Sequence, residues 1–348
     1  MPHPSRYSNF HHTHPDPFAC PSCGDFGAGI ARPISIAAPT QIPARYCKVL
    51  LLMMLLACLS GIGCAGSRPQ GTIADAKDKA VYTDGVGRQV HIARHPMRII
   101  SLAPDVTETL YLLGAQDRLV GNTNWCNWPE AAKQKPKIGD LLNPNYELIL
   151  AAKPDLVIAS TAGNQEGSVL KLAKLGLPVY VSAPRSVERI FQSVEELGRI
   201  TDCAAQGAQL VAQMKRRLDK IQRSISGLPP VRAFFITWFD PLLAPGKDTF
   251  ENEAIRLAGV ISITADIDQF YPRYSLEQVI VNNPDVILTV ERMGDPLPDL
   301  KQIAGWKDLR AVKEGRIYLL TEFLQHPSPL FLDGVEELAR KLHPERFQ

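Results

Sequence analysis

Hydrophobic and polar positions repeat in the same order at two places in the chain. Residues 147–160 and 277–290 each begin with a glutamate, form an amphipathic turn or two, reach Pro-Asp and end in a run of branched apolar residues. Proline disfavours the helical conformation of the preceding residue, so each helix is predicted to end near Lys153 or Asn283. The unalternating apolar runs are typical of strands buried on both faces of a parallel sheet. The repeat predicts one similar helix-to-strand unit in each of two lobes.

Strand and helix patterns alternate from residue 81 onward. Asp105-Val-Thr-Glu108 follows an apolar strand pattern, and its spacing predicts a capping box at the start of a helix. Apolar positions at helical spacing then run for nearly the whole of residues 185–226, interrupted near Thr201, and from Ala204 onward this helix would span about 30 Å. The predicted fold is therefore α/β, with two lobes joined by one long rigid helix. The predicted lobes are residues 81–184 and 227–348, and the linking helix is residues 185–226.

The first 63 residues differ from the rest. Lys48 precedes a dense apolar run that is shorter than a transmembrane helix requires. Small residues follow this run up to Cys64. This layout is typical of a bacterial lipoprotein signal, in which a peptidase cuts before the cysteine and a lipid is attached to its sulfur. It predicts a leader and signal peptide over residues 1–63, lipidation of Cys64 and a flexible tether over residues 64–80. Cys58 is the alternative lipidation site, and an uncleaved signal anchor is a further alternative.

Composition excludes several classes of function. The 38 Lys and Arg residues nearly balance the 36 Asp and Glu residues, so no basic surplus favours a nucleic-acid partner. After residue 64 the chain has no Gly-x-Ser-x-Gly, no His-Glu-x-x-His and no paired Cys or His ligand set. We expect neither catalysis nor a metal or cofactor. An envelope hydrolase that uses Glu322 and His326 is the remote alternative.

Four segments carry a resemblance to a known family. They are residues 98–110, Trp125-Cys-Asn-Trp-Pro-Glu, residues 143–159, and Ser275-Leu-Glu-Gln-Val. In this order they resemble the extracytoplasmic binding proteins of ABC importers for cobalamin, haem and ferric siderophores, over residues 81–345. The resemblance implies a class III periplasmic binding protein fold with a ligand cleft between the lobes. It also implies a lipid-anchored monomer outside the cytoplasm, whose partner is an ABC permease dimer with its ATPase subunits.

The ligand site is predicted from strand ends and aromatic residues. Ligands of parallel sheets bind beyond the carboxyl ends of the strands, where helix amides point outward, and a broad planar ring system needs aromatic walls. The resemblance places Trp125 and Tyr271 at aromatic positions of the cobalamin binder's cleft, and residues 322–326 on a stretch that touches the corrin side chains. The predicted ligand-binding residues are Pro104, Trp125, Trp238, Phe239, Tyr271, Glu322, Phe323, Leu324, Gln325 and His326.

The nature of the ligand is predicted from charge. In the predicted cleft loops the basic residues are sparse, namely Arg273 and Arg185, whereas an anionic iron chelate draws clustered cations. We therefore expect a transported corrinoid such as cobalamin, with a ferric siderophore or haem as the alternative. The sequence departs from the cobalamin binder at His326, where the resemblance predicts an arginine, and at Leu141 and Ser160, where it predicts tryptophans.

Two further residue pairs are singled out. Glu147 and Glu277 open the two repeated helices, and the resemblance implies that such glutamates meet arginines on a two-fold permease. The helix dipole alone also favours an acidic residue there. Cys126 and Cys203 could form a disulfide in an oxidising compartment, or could remain two buried free thiols.

Overall fold

Strands and helices alternate along the chain in the computed structural model, which describes residues 78–291 and 297–348. The strands are β1 Lys79–Thr83, β2 Gln89–Ala93, β3 Ile99–Ser101, β4 Leu119–Asn122, β5 Leu156–Ser160, β6 Val179–Ser182, β7 Val231–Phe235, β8 Val260–Ser262, β9 Val286–Val290 and β10 Ile317–Leu320. The helices are α1 Pro104–Leu112, α2 Glu130–Lys133, α3 Tyr146–Ala151, α4 Glu166–Lys174, α5 Val187–Ile200, α6 Ala204–Ser224, α7 Phe250–Leu257, α8 Leu276–Asn282, α9 Arg310–Lys313 and α10 Phe331–Leu342. The predicted leader, with Cys64, lies outside the described residues.

Two four-stranded parallel sheets share one strand order. The first sheet runs β4-β3-β5-β6 and the second runs β8-β7-β9-β10, so in each the first strand lies between the second and the third. β1 and β2 form a separate antiparallel hairpin. Among the helices of the described residues, none combines the length and the apolar character that crossing a membrane requires. The architecture agrees with the predicted α/β fold of two lobes.

The sequence repeat is also a structural repeat. Residues 151–160 and 281–290 show the same pattern of exposed and buried positions, residue by residue. In both copies the residue before the proline has a left-handed backbone, with φ of 45° at Lys153 and 39° at Asn283. The strands that follow, β5 and β9, are buried along their whole length. The Pro-Asp unit therefore ends each helix as predicted and leads into a fully buried strand.

One hydrophobic cluster continues across both sheets. Alternate strand residues point to opposite sheet faces, and each sheet uses one face for this shared cluster. On the other faces, Ile100 and Val157 pack into a separate cluster of the first lobe, and Phe234 and Ile287 into one of the second. The central-strand residues of the shared cluster are Ile99, Leu156, Ile158, Ala233, Phe235, Val286, Leu288 and Val290.

The segment predicted as one linking helix contains two helices. Between α5 and α6 the chain turns through Asp202, whose φ is 55°. The helices then pack closely, because a Cβ built on Gly198 would lie 3.3 Å from the Cα of Gly207. α6 alone has 21 residues and leads into β7, so α6 makes the connection between the lobes.

Candidate functional site

The carboxyl ends of four strands carry predicted ligand residues. Pro104 follows β3 as the first residue of α1, and the loop with Trp125 follows β4. In the second lobe, Trp238 follows β7, and the turn Glu322–Gln325 follows β10. The carboxyl ends of the strands of a parallel sheet lie at one edge. Each lobe therefore presents its predicted ligand residues at the carboxyl edge of its sheet.

Direct contacts join these edges of the two lobes. His326 Nδ1 lies 2.7 Å from Glu108 Oε1 of α1, and Ser328 Oγ donates a hydrogen bond to the other oxygen of the same carboxylate. The ring of Trp128, in the loop after β4, packs edge-on against Phe323, with 6.2 Å between the ring centroids. The loops after β4 and β10 therefore contact each other across the boundary between the lobes.

The loop that carries Trp125 is held in place by contacts of its neighbouring residues. The Sγ atom of the buried Cys126 lies 3.1 Å from Thr107 Oγ1 and 3.2 Å from Thr123 Oγ1. The Lys137 ammonium donates to the backbone carbonyls of Thr123 and Cys126, at 3.1 and 3.3 Å. Burial raises the pKa of the Cys126 thiol and lowers that of Lys137. Trp125, which is 52% exposed, is thus an exposed aromatic ring on an anchored loop.

The second lobe offers two aromatic residues with fixed orientations. The indole N–H of Trp238 donates to a backbone carbonyl two residues further on, at 2.8 Å. Tyr271 is 44% exposed, and its hydroxyl donates to Glu251 Oε1 at 2.7 Å. Phe239 instead packs against Trp306 in the outer cluster of the second lobe, with 5.7 Å between ring centroids. Trp238 and Tyr271 can therefore line a site more fully than Phe239.

The prediction of Leu324 as a ligand residue is wrong. Its side chain has no exposed surface and belongs to the shared hydrophobic cluster. The 3-10 turn Glu322–Gln325 points this residue inward onto α10, where a Cβ built on Gly334 would lie 2.8 Å from the Leu324 Cβ. Phe323, Gln325 and Glu322 of the same turn remain partly exposed.

The two cysteines of the described residues are free thiols, so the disulfide hypothesis is also wrong. Cys126 follows Trp125 in the same loop, and its Sγ contacts Thr107 and Thr123 as described above. Cys203 precedes α6, and its Sγ accepts a hydrogen bond from the Arg118 guanidinium at 3.1 Å. Because each sulfur is engaged with its own partners, the second alternative, two buried thiols, describes the structure.

Titratable groups cluster at the interlobe contact. Asp105, one turn before Glu108 on α1, accepts a hydrogen bond from Ser160 Oγ at 2.7 Å. Burial is the main cause that raises the pKa of Asp105, and the charge of Glu108 adds to it. The Ser160 hydrogen bond and the charge of His326 lower the pKa, and the net value is about 6. Burial lowers the pKa of His326, but the charge and hydrogen bond of Glu108 outweigh that effect, so the pKa is raised overall.

Sequence reasoning gave Asp105 and Glu108 a different role. They were predicted to form a capping box, but α1 begins at Pro104 with Ala103 as the N-cap, so Asp105 lies in the first turn. Pro104 suits the first helical position, because proline has no amide N–H and an N–H at this position would lack a partner within the helix. An acidic pair directly after that proline, together with the unexpected His326, was the signal that could have indicated this cluster.

The chain is similar to known proteins in sequence and in fold. The periplasmic binding protein family matches residues 99–323. The vitamin B12-binding protein of Vibrio cholerae is 31% identical over 247 residues, which cover 70% of this chain and 88% of that protein. A crystal structure of a periplasmic vitamin B12-binding protein of Vibrio cholerae matches with a TM-score of 0.64 and 30% identity, over 73% of this chain and 99% of that chain.

The chain is also similar to a lipoprotein and to a haem-binding protein. An uncharacterized ABC transporter substrate-binding lipoprotein of Bacillus subtilis is 30% identical over 308 residues, which cover 85% of this chain and 96% of that protein. A structure of a periplasmic haem-binding protein in complex with two haems matches with a TM-score of 0.64 and 25% identity, over 72% of this chain and 98% of that chain. The structural matches confirm the predicted two-lobed α/β fold. Because the family match covers well over half of the sequence, the chain belongs to the periplasmic binding protein family.

Proposed function

We propose that this protein is the substrate-binding component of an ABC importer and captures cobalamin or a related corrinoid in the interlobe cleft. Trp125 on its anchored loop and Tyr271 in the second lobe offer exposed aromatic rings, which suit the broad apolar face of a corrin. The similarity to a vitamin B12-binding protein over 88% of its length supports the same ligand class.

The observation that carries the proposal is the charge at the lobe contact. Two buried carboxylates, Asp105 and Glu108, meet there with the imidazole of His326. A trianionic iron chelate at this edge would lie beside those carboxylates, and unpaired buried charge costs several kcal/mol. The side chains of a corrinoid are neutral amides, which add no negative charge beside these carboxylates. The excess of acidic groups thus favours a corrinoid.

A haem or a ferric siderophore is the second candidate. The similarity to a haem-binding protein and the imidazole of His326 at the cleft favour haem. The choice is decided by calorimetry with cyanocobalamin, cobinamide, haemin and a ferric siderophore. A corrinoid is expected to bind with a dissociation constant of about 1 μM or below. Tight binding of haemin or of a siderophore, without any response to corrinoids, would overturn the corrinoid assignment.

The aromatic wall is tested in the same experiment. Trp125→Ala should weaken corrinoid binding by about 1–3 kcal/mol, because it removes a large exposed ring from the site. Phe347→Ala serves as the control, since this ring packs under Arg340, 4.9 Å from its guanidinium carbon. Equal affinity of Trp125→Ala and the unaltered protein would exclude Trp125 from the site.

The proposed role is binding without catalysis. Ser328 Oγ donates to Glu108, and His326 contacts the same carboxylate. The hydroxyl and the imidazole are thus both committed to Glu108, and this does not favour a nucleophile activated by a base. Mass spectrometry of a corrinoid recovered after long incubation should show an unchanged ligand. A hydrolysed product would favour the remote alternative, an envelope hydrolase.

Delivery to the permease is proposed to use the two repeated helices. Glu147 and Glu277 are exposed in the first turns of α3 and α8. A backbone hydrogen bond and the Ser275 hydroxyl lower the pKa of Glu277. Three residues after each glutamate, Leu150 and Ile280 are 39% and 44% exposed. Each lobe thus offers an acidic and an apolar residue at equivalent positions, which suits docking onto a permease dimer with two-fold symmetry. The ATPase subunits of the importer are proposed to bind that permease dimer.

The proposed location is the outer face of the cell membrane. A lipid on Cys64 would hold the binding protein there as a monomer, with the predicted tether ending before β1, which begins at Lys79. The Bacillus subtilis relative, described as a substrate-binding lipoprotein, supports this proposal.

A further inference from the structure

The carboxyl group of Glu108 holds two residues of the opposite lobe. His326 Nδ1 lies 2.7 Å from Oε1, and Ser328 Oγ donates to Oε2. The Glu108 side chain is only 2% exposed, so its hydrogen bonds come from these side chains rather than from bulk water. One buried residue of α1 therefore carries a polar contact between the lobes.

The segment that Glu108 holds is a proposed wall of the cleft. The turn Glu322–Gln325 ends directly at His326. Ser328 Oγ also accepts a hydrogen bond from the amide of Leu330, the N-cap of α10, at 3.2 Å. Fixing His326 and Ser328 therefore fixes the end of the turn and the entry into the following helix.

We propose that Glu108 is the positioning residue of the ligand site, and that it sets the Glu322–His326 wall against the first lobe by pairing with a protonated His326. The proposal rests on the proposed function, since it assumes that the cleft between the lobes binds the ligand. Glu108 acts through His326, and a direct contact with the ligand is not required.

The groups around His326 favour a proton on its ring. Burial opposes the charge, but the hydrogen-bonded Glu108, followed by the charges of Glu322 and Asp105, raises the pKa overall. The uncharged ring of Phe323 also packs against the imidazole, with 6.0 Å between the ring centroids. A pairing that raises the pKa of a histidine is complete below the ordinary pKa and is lost as the pH rises through the raised value. The wall should therefore be held firmly in mild acid and released in mild alkali.

The proton is measured directly by NMR on the full-length protein with ¹⁵N-labelled histidine, titrated from about pH 5.5 to about pH 8.5. In the unaltered protein the pKa of His326 should lie above its ordinary value of 6.5. In Glu108→Gln, which keeps the shape of the side chain and removes its charge, the pKa should fall. Ser328→Ala should keep the raised pKa, because it leaves the carboxylate in place.

The consequence for the site is measured with cyanocobalamin as the probe. The affinity of the unaltered protein should decrease as the pH rises through the raised pKa of His326. Glu108→Gln should bind about tenfold more weakly in mild acid and lose this pH dependence. His326→Gln should show the same loss, and the double variant should be no worse than either single one. Glu130→Gln, which removes an exposed carboxylate paired with Lys133, should behave like the unaltered protein.

Two results would overturn the positioning role. One is an equal His326 pKa in the unaltered protein and in Glu108→Gln. The other is an unchanged affinity and pH profile in both Glu108→Gln and His326→Gln. If the unaltered protein binds no corrinoid, the corrinoid assignment fails separately, and haemin becomes the probe for the same variants.

Discussion

Asp155 and Asp285 fasten the third strand of each sheet to the first strand in the same way. The two oxygens of Asp155 accept hydrogen bonds from the backbone amides of Met97 and Arg98, at 2.7 and 2.9 Å. Asp285 accepts one from the amide of Arg232, at 3.1 Å. The aspartate of each Pro-Asp unit thus secures the beginning of the neighbouring strand. This shared contact gives the aspartate the same structural role in both repeats.

Asp155→Ala should destabilise the fold by about 1–3 kcal/mol, because two backbone amides lose a charged acceptor. Urea denaturation measures the change. Asp219→Ala, an exposed aspartate of α6, is the control and should have little effect. Equal denaturation midpoints for both variants would show that the carboxylate contributes nothing to the strand junction.

Asp105→Asn should stabilise the protein at neutral pH. The folded state raises the pKa of Asp105 from 3.8 to about 6, so the unfolded chain releases this proton at lower pH than the folded chain does. The favourable contribution is present below about pH 4 and is lost as the pH rises to about 6. Asparagine keeps an acceptor for Ser160 and carries no charge, so the gain should be about 1–3 kcal/mol at about pH 7.5.

The pH dependence of that gain is the decisive observation. Thermal unfolding of Asp105→Asn and of the unaltered protein should coincide near about pH 4 and diverge above about pH 6. Asp219→Asn should change stability little at either pH. A difference of the same size at both values would mean that packing, rather than charge, determines the effect.

The double charge reversal Glu147→Lys with Glu277→Lys should abolish ligand uptake by cells. Both side chains are exposed on short helices, so the affinity for the ligand should remain intact. Transport of a labelled corrinoid and calorimetry on the purified protein measure the two properties separately. Glu166→Lys reverses an exposed charge in the first turn of α4 and should leave uptake normal. Normal uptake by the double variant would remove these glutamates from the docking surface.

Cys64→Ser should prevent lipidation, and the protein should then leave the membrane fraction or retain its uncut leader. Fractionation and mass spectrometry of the mature N-terminus measure this. Cys58→Ser should remain anchored. An unmodified N-terminus at another position would contradict the assignment of Cys64.

Much of the fold could be predicted from local patterns. Lys153 and Asn283 end their helices because proline follows, and the branched residues of β5 and β9 are buried on both faces, as the unalternating pattern indicates. The apolar pattern is interrupted near Thr201, but that interruption alone does not show that the chain turns there through a left-handed Asp202 and that two helices pack together.

The site was less predictable because it depends on pairing between distant residues. Trp125 was predicted from its place after a strand; it is exposed, and its contact with a ligand stays a prediction. Glu108 and Ser328 were missed, since the contact between them joins opposite lobes. Leu324 was misassigned because a stretch of sequence does not reveal which residue of a tight turn points inward.

The hydrophobic cluster that runs through both sheets has a consequence for how the protein is made. Ile158 of the first lobe and Leu288 of the second belong to the same packed interior, so neither half encloses a complete core. We expect a gene fragment that encodes one lobe alone to produce an aggregating product, and the intact chain to unfold in a single cooperative transition. The two lobes that carry the helix-to-strand unit are thus expected to fold together, as one cooperative unit.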